Sequence, residues 1–243
     1  MIREYSGSLG TFSYDDTEFT ISHAGNYLEY VGNGENVRLP KGCISIACMF
    51  SHWEGEVLDL TNFDTSAVEH FDEAFSGCPN LVEIIGIETL NVSSGKTFPL
   101  CFCGTRKLTH LDLHLWDMHN AIDIAAMFWD CSGLVDLDVS GWNLSKCEDI
   151  SMFTNGCQSL KVLKVDNWNI ENVTKATKFA CSCSELERLS LDTWNHKTLA
   201  NVDGMLANCP KLQHPDLTSW CLSDYAISRM YTNTSDSEEM TIF

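Results

Sequence analysis

Apolar residues along this chain recur in two rhythms, one nested inside the other. The short rhythm is alternation. Leu58/Leu60, Ile85/Ile87, Leu111/Leu113, Leu137/Val139, Leu163/Val165 and Leu189/Leu191 each set two apolar side chains one residue apart, which predicts a short strand with one buried face. The long rhythm is the spacing of whole blocks. Trp116, Trp142, Trp168, Trp194 and Trp220 stand 26 residues apart, and Phe63 and Leu90 extend that column upstream at steps of 27 and 26. Leu81, Leu108, Leu134, Leu160, Leu186 and Leu212 form a second column, and Cys131, Cys157, Cys183 and Cys209, with Cys78 upstream, a third. Several columns sharing one period mark an internal repeat.

The rest of each unit predicts a short helix or helical turn. Ser66 and Glu69 have capping-box spacing, Val68, Phe71 and Phe75 follow on one helical face, and Gly77 sits where a helix would stop. Asn120, Ile124 and Phe128 repeat the pattern in the third unit. One strand and one helical turn cannot bury their apolar side alone, whereas stacked copies can, so the expected fold is a quasi-one-dimensional α/β solenoid with a parallel β-ribbon. An Asp/Asn column, Asp64, Asn91, Asp117, Asn143, Asn169 and Asn195, is expected to satisfy interior backbone groups where each strand turns. The Trp column beside it is expected to fill a corner of every layer.

The ends read differently. Phe12/Tyr14 and Phe19/Ile21 alternate about Asp15-Asp16-Thr17 and predict a hairpin, while Tyr27–Val31 and Val37–Leu39 flank the turn signal Asn33-Gly34. The division expected is a β-rich N-terminal cap over 1–50, a solenoid of about seven units over 51–231, and a mobile acidic C-terminal tail over 232–243.

The units LDLTNFDTSAVEHFDEAFSGCPNL and LDVSGWNLSKCEDISMFTNGCQSL resemble BspA-like leucine-rich repeats, over about residues 56–221. The resemblance implies a leucine-rich-repeat solenoid and a surface or interaction protein of bacteria, phages or protists that binds other proteins. It offers no catalytic residues to carry over.

Charge narrows the partner. Fifteen basic against 34 acidic residues give a formal charge of -19, which disfavours direct nucleic-acid binding and an anionic membrane surface and suits a basic protein. Met1 to Tyr5 lack the apolar stretch of a leader, and no run is long enough to span a bilayer. A cytoplasmic protein is expected, its 12 cysteines reduced and mostly buried. No nucleophile elbow, phosphate loop, zinc-protease motif or dinucleotide turn is present, so neither enzyme activity nor a cofactor is expected.

Function is sought where a column is not needed for packing, on the outward strand positions. One such column runs Asp59, Gly86, Asp112, Asp138, Lys164, Ser190 and Asp216; its neighbours include Glu88, His114, Asp166 and Asp192 on one side and Ile84, His110, Asp136 and Arg188 on the other. Asp59, Glu88, His110, Asp112, His114, Asp136, Asp138, Asp166 and Asp192 are the candidate partner-binding residues. His110, Asp112, His114, Asp136 and Asp138 are metal-ligand types, but alternate strand residues stand about 7 Å apart, loose for chelation, so no metal is expected. Cys101/Cys103 and Cys181/Cys183 are read as buried hydrophobes rather than zinc ligands. The second unit is irregular, with Leu90 for Trp, Thr105 for Cys and one inserted residue. The expected role is protein binding through the acidic strand face. Two alternatives are an acidic inhibitor that mimics nucleic acid toward an enzyme or defence complex, and a surface or virion adhesion protein.

Overall fold

A computed structural model describes residues 1–22, 27–194, 197–213, 215–217, 220 and 222–232. The chain begins with two antiparallel hairpins, β1 (Ile2–Gly7) with β2 (Gly10–Asp15), and β3 (Phe19–Ile21) with β4 (Leu28–Tyr30). The strand carrying Phe12 and Tyr14 therefore pairs upstream with β1, not across Asp15-Asp16-Thr17 with β3. The second expected hairpin is not formed either, because Val37–Leu39 is not a strand. Instead Val37 N–H donates to Asp59 O and Asp59 N–H to Gly34 O, so this segment lies along the first layer of the stack.

Among the described residues six short strands follow at the repeat spacing. β5 (Val57–Asp59) pairs in parallel with β6 (Glu83–Ile85), and β7 (His110–Asp112), β8 (Asp136–Asp138), β9 (Val162–Lys164) and β10 (Arg188–Leu189) form a second parallel sheet in chain order. The register aligns Leu58 with Ile84, and Leu111 with Leu137 and Leu163. This corrects the second unit: Ile84 points inward and is buried, whereas Ile85 points outward. The inserted residue lies between Ile84 and Ile87, where Gly86 adopts a left-handed φ of 84° and leads into a 3-10 turn, Ile87–Thr89.

The other flank of each layer is not helical. Single parallel bridges run Ser45, His70, Thr97, Asp123, Asp149, Lys175 and Asn201. After each bridge, alternate N–H groups donate to the next layer: Phe71 to Thr97, Glu73 to Pro99, Phe75 to Cys101 and Gly77 to Cys103. Spending N–H groups between layers removes the i to i−4 bonds a helix needs. Two left-handed residues per layer enforce the choice: Glu73, Leu100, Ala126, Met152 and Lys178 in one column, and Gly77, Gly104, Asp130, Gly156 and Ser182 four residues on. The Ser66–Glu69 capping box accordingly does not form; the Ser66 N–H bonds Asp64 Oδ1 instead.

The core is built from stacked columns. Trp116, Trp142, Trp168, Trp194 and Trp220 lie ring on ring with centroids 6.4, 5.8, 5.5 and 6.3 Å apart. Trp116, Trp142, Trp168 and Trp194 each donate Nε1–H to a carbonyl of the preceding layer at 2.6–3.1 Å. A phenylalanine column, Phe50, Phe75, Phe102, Phe128, Phe153 and Phe179, runs beside it at 5.1–5.4 Å. The Cys78, Cys131, Cys157 and Cys183 thiols donate to Phe50, Phe102, Phe128 and Thr154 carbonyls of the preceding layer at 3.0–3.1 Å; Thr105 occupies the same column but donates within its own layer, to the Phe102 O that Cys131 also uses. The Asp/Asn column is not interior. Asp64, Asn91, Asp117, Asn143 and Asn169 sit at the surface, each accepting from the N–H two residues ahead in its own layer; Asn195 lies outside the described residues.

The last layer is closed by an element with no repeat signature, the helix α1 (Asp224–Met230), capped by Ser223. Its terminal carbonyls take the place of a further layer: Gly204 N–H donates to Arg229 O and Leu206 N–H to Met230 O. Met230 is fully buried. Arg229 makes a two-pronged contact with Asp203 at 2.6 and 2.7 Å. Of the expected tail, residues 233–243 lie outside the described residues. Among the described residues no helix is long and apolar enough to cross a membrane.

Candidate functional site

Strand alternation decides which side chains are free for a partner. On β7 to β10 the central residues Leu111, Leu137, Leu163 and Leu189 are buried, so their neighbours face out. His110, Asp112, Asp136, Asp138, Lys164 and Arg188 thereby line one shallow groove of about 550 Å³. Within it His110 Nδ1 lies 2.7 Å from Asp136 Oδ2. Asp138 is half-buried, which opposes its ionisation. The Lys164 ammonium at 2.7 Å and the Ser140 hydroxyl outweigh that and hold its carboxyl below the usual value. The bond to Asp138 in turn raises the Lys164 ammonium.

The face is not uniformly acidic. Lys164 and Arg188 interrupt the carboxylates at the β9–β10 end, leaving the negative charge on β7 and β8. Asp166 and Asp192 border an adjoining hollow of about 340 Å³, again beside Lys164 and Arg188. His114 turns toward Asp112 rather than toward His110. Among the described residues no three His, Cys, Asp or Glu side chains meet in a way that would hold a metal. Cys101 and Cys183 are fully buried, Cys181 nearly so and Cys103 half-buried, all as free thiols. Burial pushes Cys103 up to about 12, so these are poor thiolate donors.

Asp59 and Glu88 lie outside both the groove and the adjoining hollow. Asp59 is on β5, engaged with the Thr61 N–H at 3.0 Å. Glu88 is in the 3-10 turn and lines a cleft between the two parallel sheets, together with His110, Asp112 and His114. Exposed apolar residues at this junction were not among the candidates: Val82, Ile85 and Leu115. The step of 27 between Phe63 and Leu90 was the available signal, since an extra residue in a strict stack must displace something.

A model of the family described as "Mycoplasma protein of unknown function, DUF285" matches residues 44–163 and again 149–240, both across the repeats. No curated protein matches the chain.

Proposed function

The chain belongs to the DUF285 family, described as Mycoplasma protein of unknown function, and from that premise we propose that it is a non-enzymatic protein-binding module. We read its layers as a leucine-rich-repeat solenoid of the BspA-like kind, with the outward strand face as the binding surface. One observation carries this reading: the groove formed by His110, Asp136, Asp138, Lys164 and Arg188 presents charged side chains that packing does not require. Interior columns take up the Trp, Phe and Cys side chains; the ribbon's outer positions vary from layer to layer, so identity is written there. The partner that fits is a protein with cations opposite β7–β8 and a carboxylate opposite Lys164 and Arg188. No cofactor or metal enters this reading.

A uniformly acidic mimic of nucleic acid has less support, because Lys164 and Arg188 break the run of carboxylates on the face that would be presented. The test is site-specific photo-cross-linking in the native cell, with the cross-linker at Asp136 or Arg188 and, as control, at Lys175 on the opposite ladder. One protein recovered repeatedly from the first two positions and not from the third is the expected result. Equal recovery from all three, or none from the ribbon, overturns the reading.

A further inference from the structure

The parallel ribbon is interrupted between β6 and β7. Elsewhere each layer is tied at this flank, by Val82 N–H to Glu56 O, Val135 N–H to Thr109 O and Lys161 N–H to Val135 O. Among the described residues no backbone bond joins 82–88 to 108–115. The cause is local. Gly86 in its left-handed conformation and the 3-10 turn behind it draw the second unit out of register. The opposite flank at the same boundary stays intact, with Phe98, Leu100, Phe102 and Gly104 N–H groups bonded to Asp123, Ala125, Met127 and Trp129 carbonyls at 2.7–3.1 Å. Trp116 Nε1–H still reaches Ile87 O at 2.8 Å. The core is therefore closed and only the front edge is open.

The open edges carry unpaired backbone groups. In a parallel ladder the N–H and C=O of one residue point the same way, and successive residues point oppositely. Glu83 and Ile85 bond toward β5, through Glu83 N–H to Glu56 O and Leu60 N–H to Ile85 O, so Ile84 points into the gap. On β7 the ladder to β8 continues through Leu113 N–H to Asp138 O, which directs the backbone of His110 and Asp112 into the same gap. The cleft has a volume of about 480 Å³. It carries Glu83, Glu88 and Asp112 but no Lys or Arg, and Val82 and Leu115 on its wall are 47% and 64% exposed.

We infer that this gap receives an extended segment of a partner protein, carrying Lys or Arg beside branched apolar residues. Unpaired strand edges are templates for an added strand. Alternation along that strand sets apolar side chains on Val82 and Leu115 and cations toward Glu83, Glu88 and Asp112. A second copy of this chain is disfavoured, because two molecules of formal charge -19 repel. The inference rests on the protein-binding reading and locates a contact that the groove on β7–β10 does not include.

The test uses the full chain and a capped nine-residue peptide alternating Lys and Val, with a Glu/Val peptide as control. Fluorescence anisotropy at low and high salt gives affinity, and hydrogen exchange gives location. The expected result is binding of the Lys/Val peptide alone, weakened by salt, with slowed exchange at Ile84, His110 and Asp112. Glu88→Gln and Leu115→Asn should each weaken it by about tenfold, as loss of one good contact does, while Lys175→Ala on the opposite ladder leaves it unchanged. Binding of neither peptide up to millimolar concentration, protection confined to the Arg188 groove, or indifference to Leu115→Asn overturns the inference. Cross-linking from Asp136 and Arg188, repeated in the Leu115→Asn protein, separates the two proposals. A partner still captured there while the peptide fails leaves the module a protein binder and removes the gap from its contacts.

Discussion

Trp168 offers the sharpest measure of what holds the layers together. Its indole is 1% exposed and lies between Trp142 and Trp194 at 5.8 and 5.5 Å, with both neighbours within 4° of coplanar. Its Nε1–H donates to Val139 O at 2.6 Å. Trp168→Ala removes a fully packed ring, a change that costs about 3–5 kcal/mol in a core. It also leaves the Val139 carbonyl without its donor in a dry site, about 1–3 kcal/mol more. The loss expected is about 4–8 kcal/mol, a large part of the stability of an ordinary domain. Trp168→Phe keeps a ring in the column and forfeits the N–H and part of the contact, for a loss of about 1–3 kcal/mol. Urea unfolding followed by circular dichroism reads both numbers. A reduced slope for Trp168→Ala would show that the array has split at this layer into separately unfolding parts. The reasoning is refuted if Trp168→Ala costs less than about 2 kcal/mol at unchanged slope, against the about 4 expected at least, or if the Phe variant loses as much as the Ala variant.

Further outcomes follow from other contacts. Met230→Ala should cost about 2–5 kcal/mol and speed amide exchange at Gly204 and Leu206, whose acceptors are the last helix carbonyls; unchanged exchange there would detach α1 from its capping role. Asp138 has a depressed carboxyl pKa, so its contribution to stability is present above the unfolded value near 3.8 and is lost as pH falls through the folded one. Lys164→Ala should move the Asp138 titration upward by carboxyl NMR, and no movement would deny the ion pair. Burial pushes Cys78 up to about 12 and Cys157 well above the ordinary thiol value. Mass-spectrometric labelling at pH 8 should therefore find both unmodified until urea is added, and prompt native labelling of either would contradict the thiol-to-carbonyl column.

What could be read from the chain was whatever repeats. The Trp, Leu and Cys columns follow from spacing alone, because a side chain that meets its own copy one layer on leaves the same residue at the same interval, whereas the Phe column from Phe50 to Phe179 steps unevenly, by 25 to 27 residues, and stays hidden. Helical turns do not form where the spacing predicts them, and the reason is physical. Val68, Phe71 and Phe75 fall at helical spacing, yet the same spacing serves a tight spiral of turns with left-handed residues at Glu73 and Gly77. The glycines at 77, 104 and 156 hint at that geometry, but Asp130 and Ser182 occupy equivalent places and hide it. The Asp/Asn column was visible as a pattern but not as a role, since an oxygen that caps its own turn and one that braces the interior leave the same letters. The open front edge between β6 and β7 was legible only as one surplus residue. Which side of the chain that residue displaces depends on the Gly86 dihedral, and α1 belongs to no repeat and leaves no period to detect.

The direction of the turn hydrogen bonds has a consequence for how the stack ends. From Ile46 to Leu206 these N–H groups point toward the next layer, so the final layer ends in donors that seek carbonyls. A helix terminus offers acceptors of that kind. α1 is thus a stopper of the correct polarity, and without it the Gly204 and Leu206 N–H groups would face the end of the stack with no acceptor.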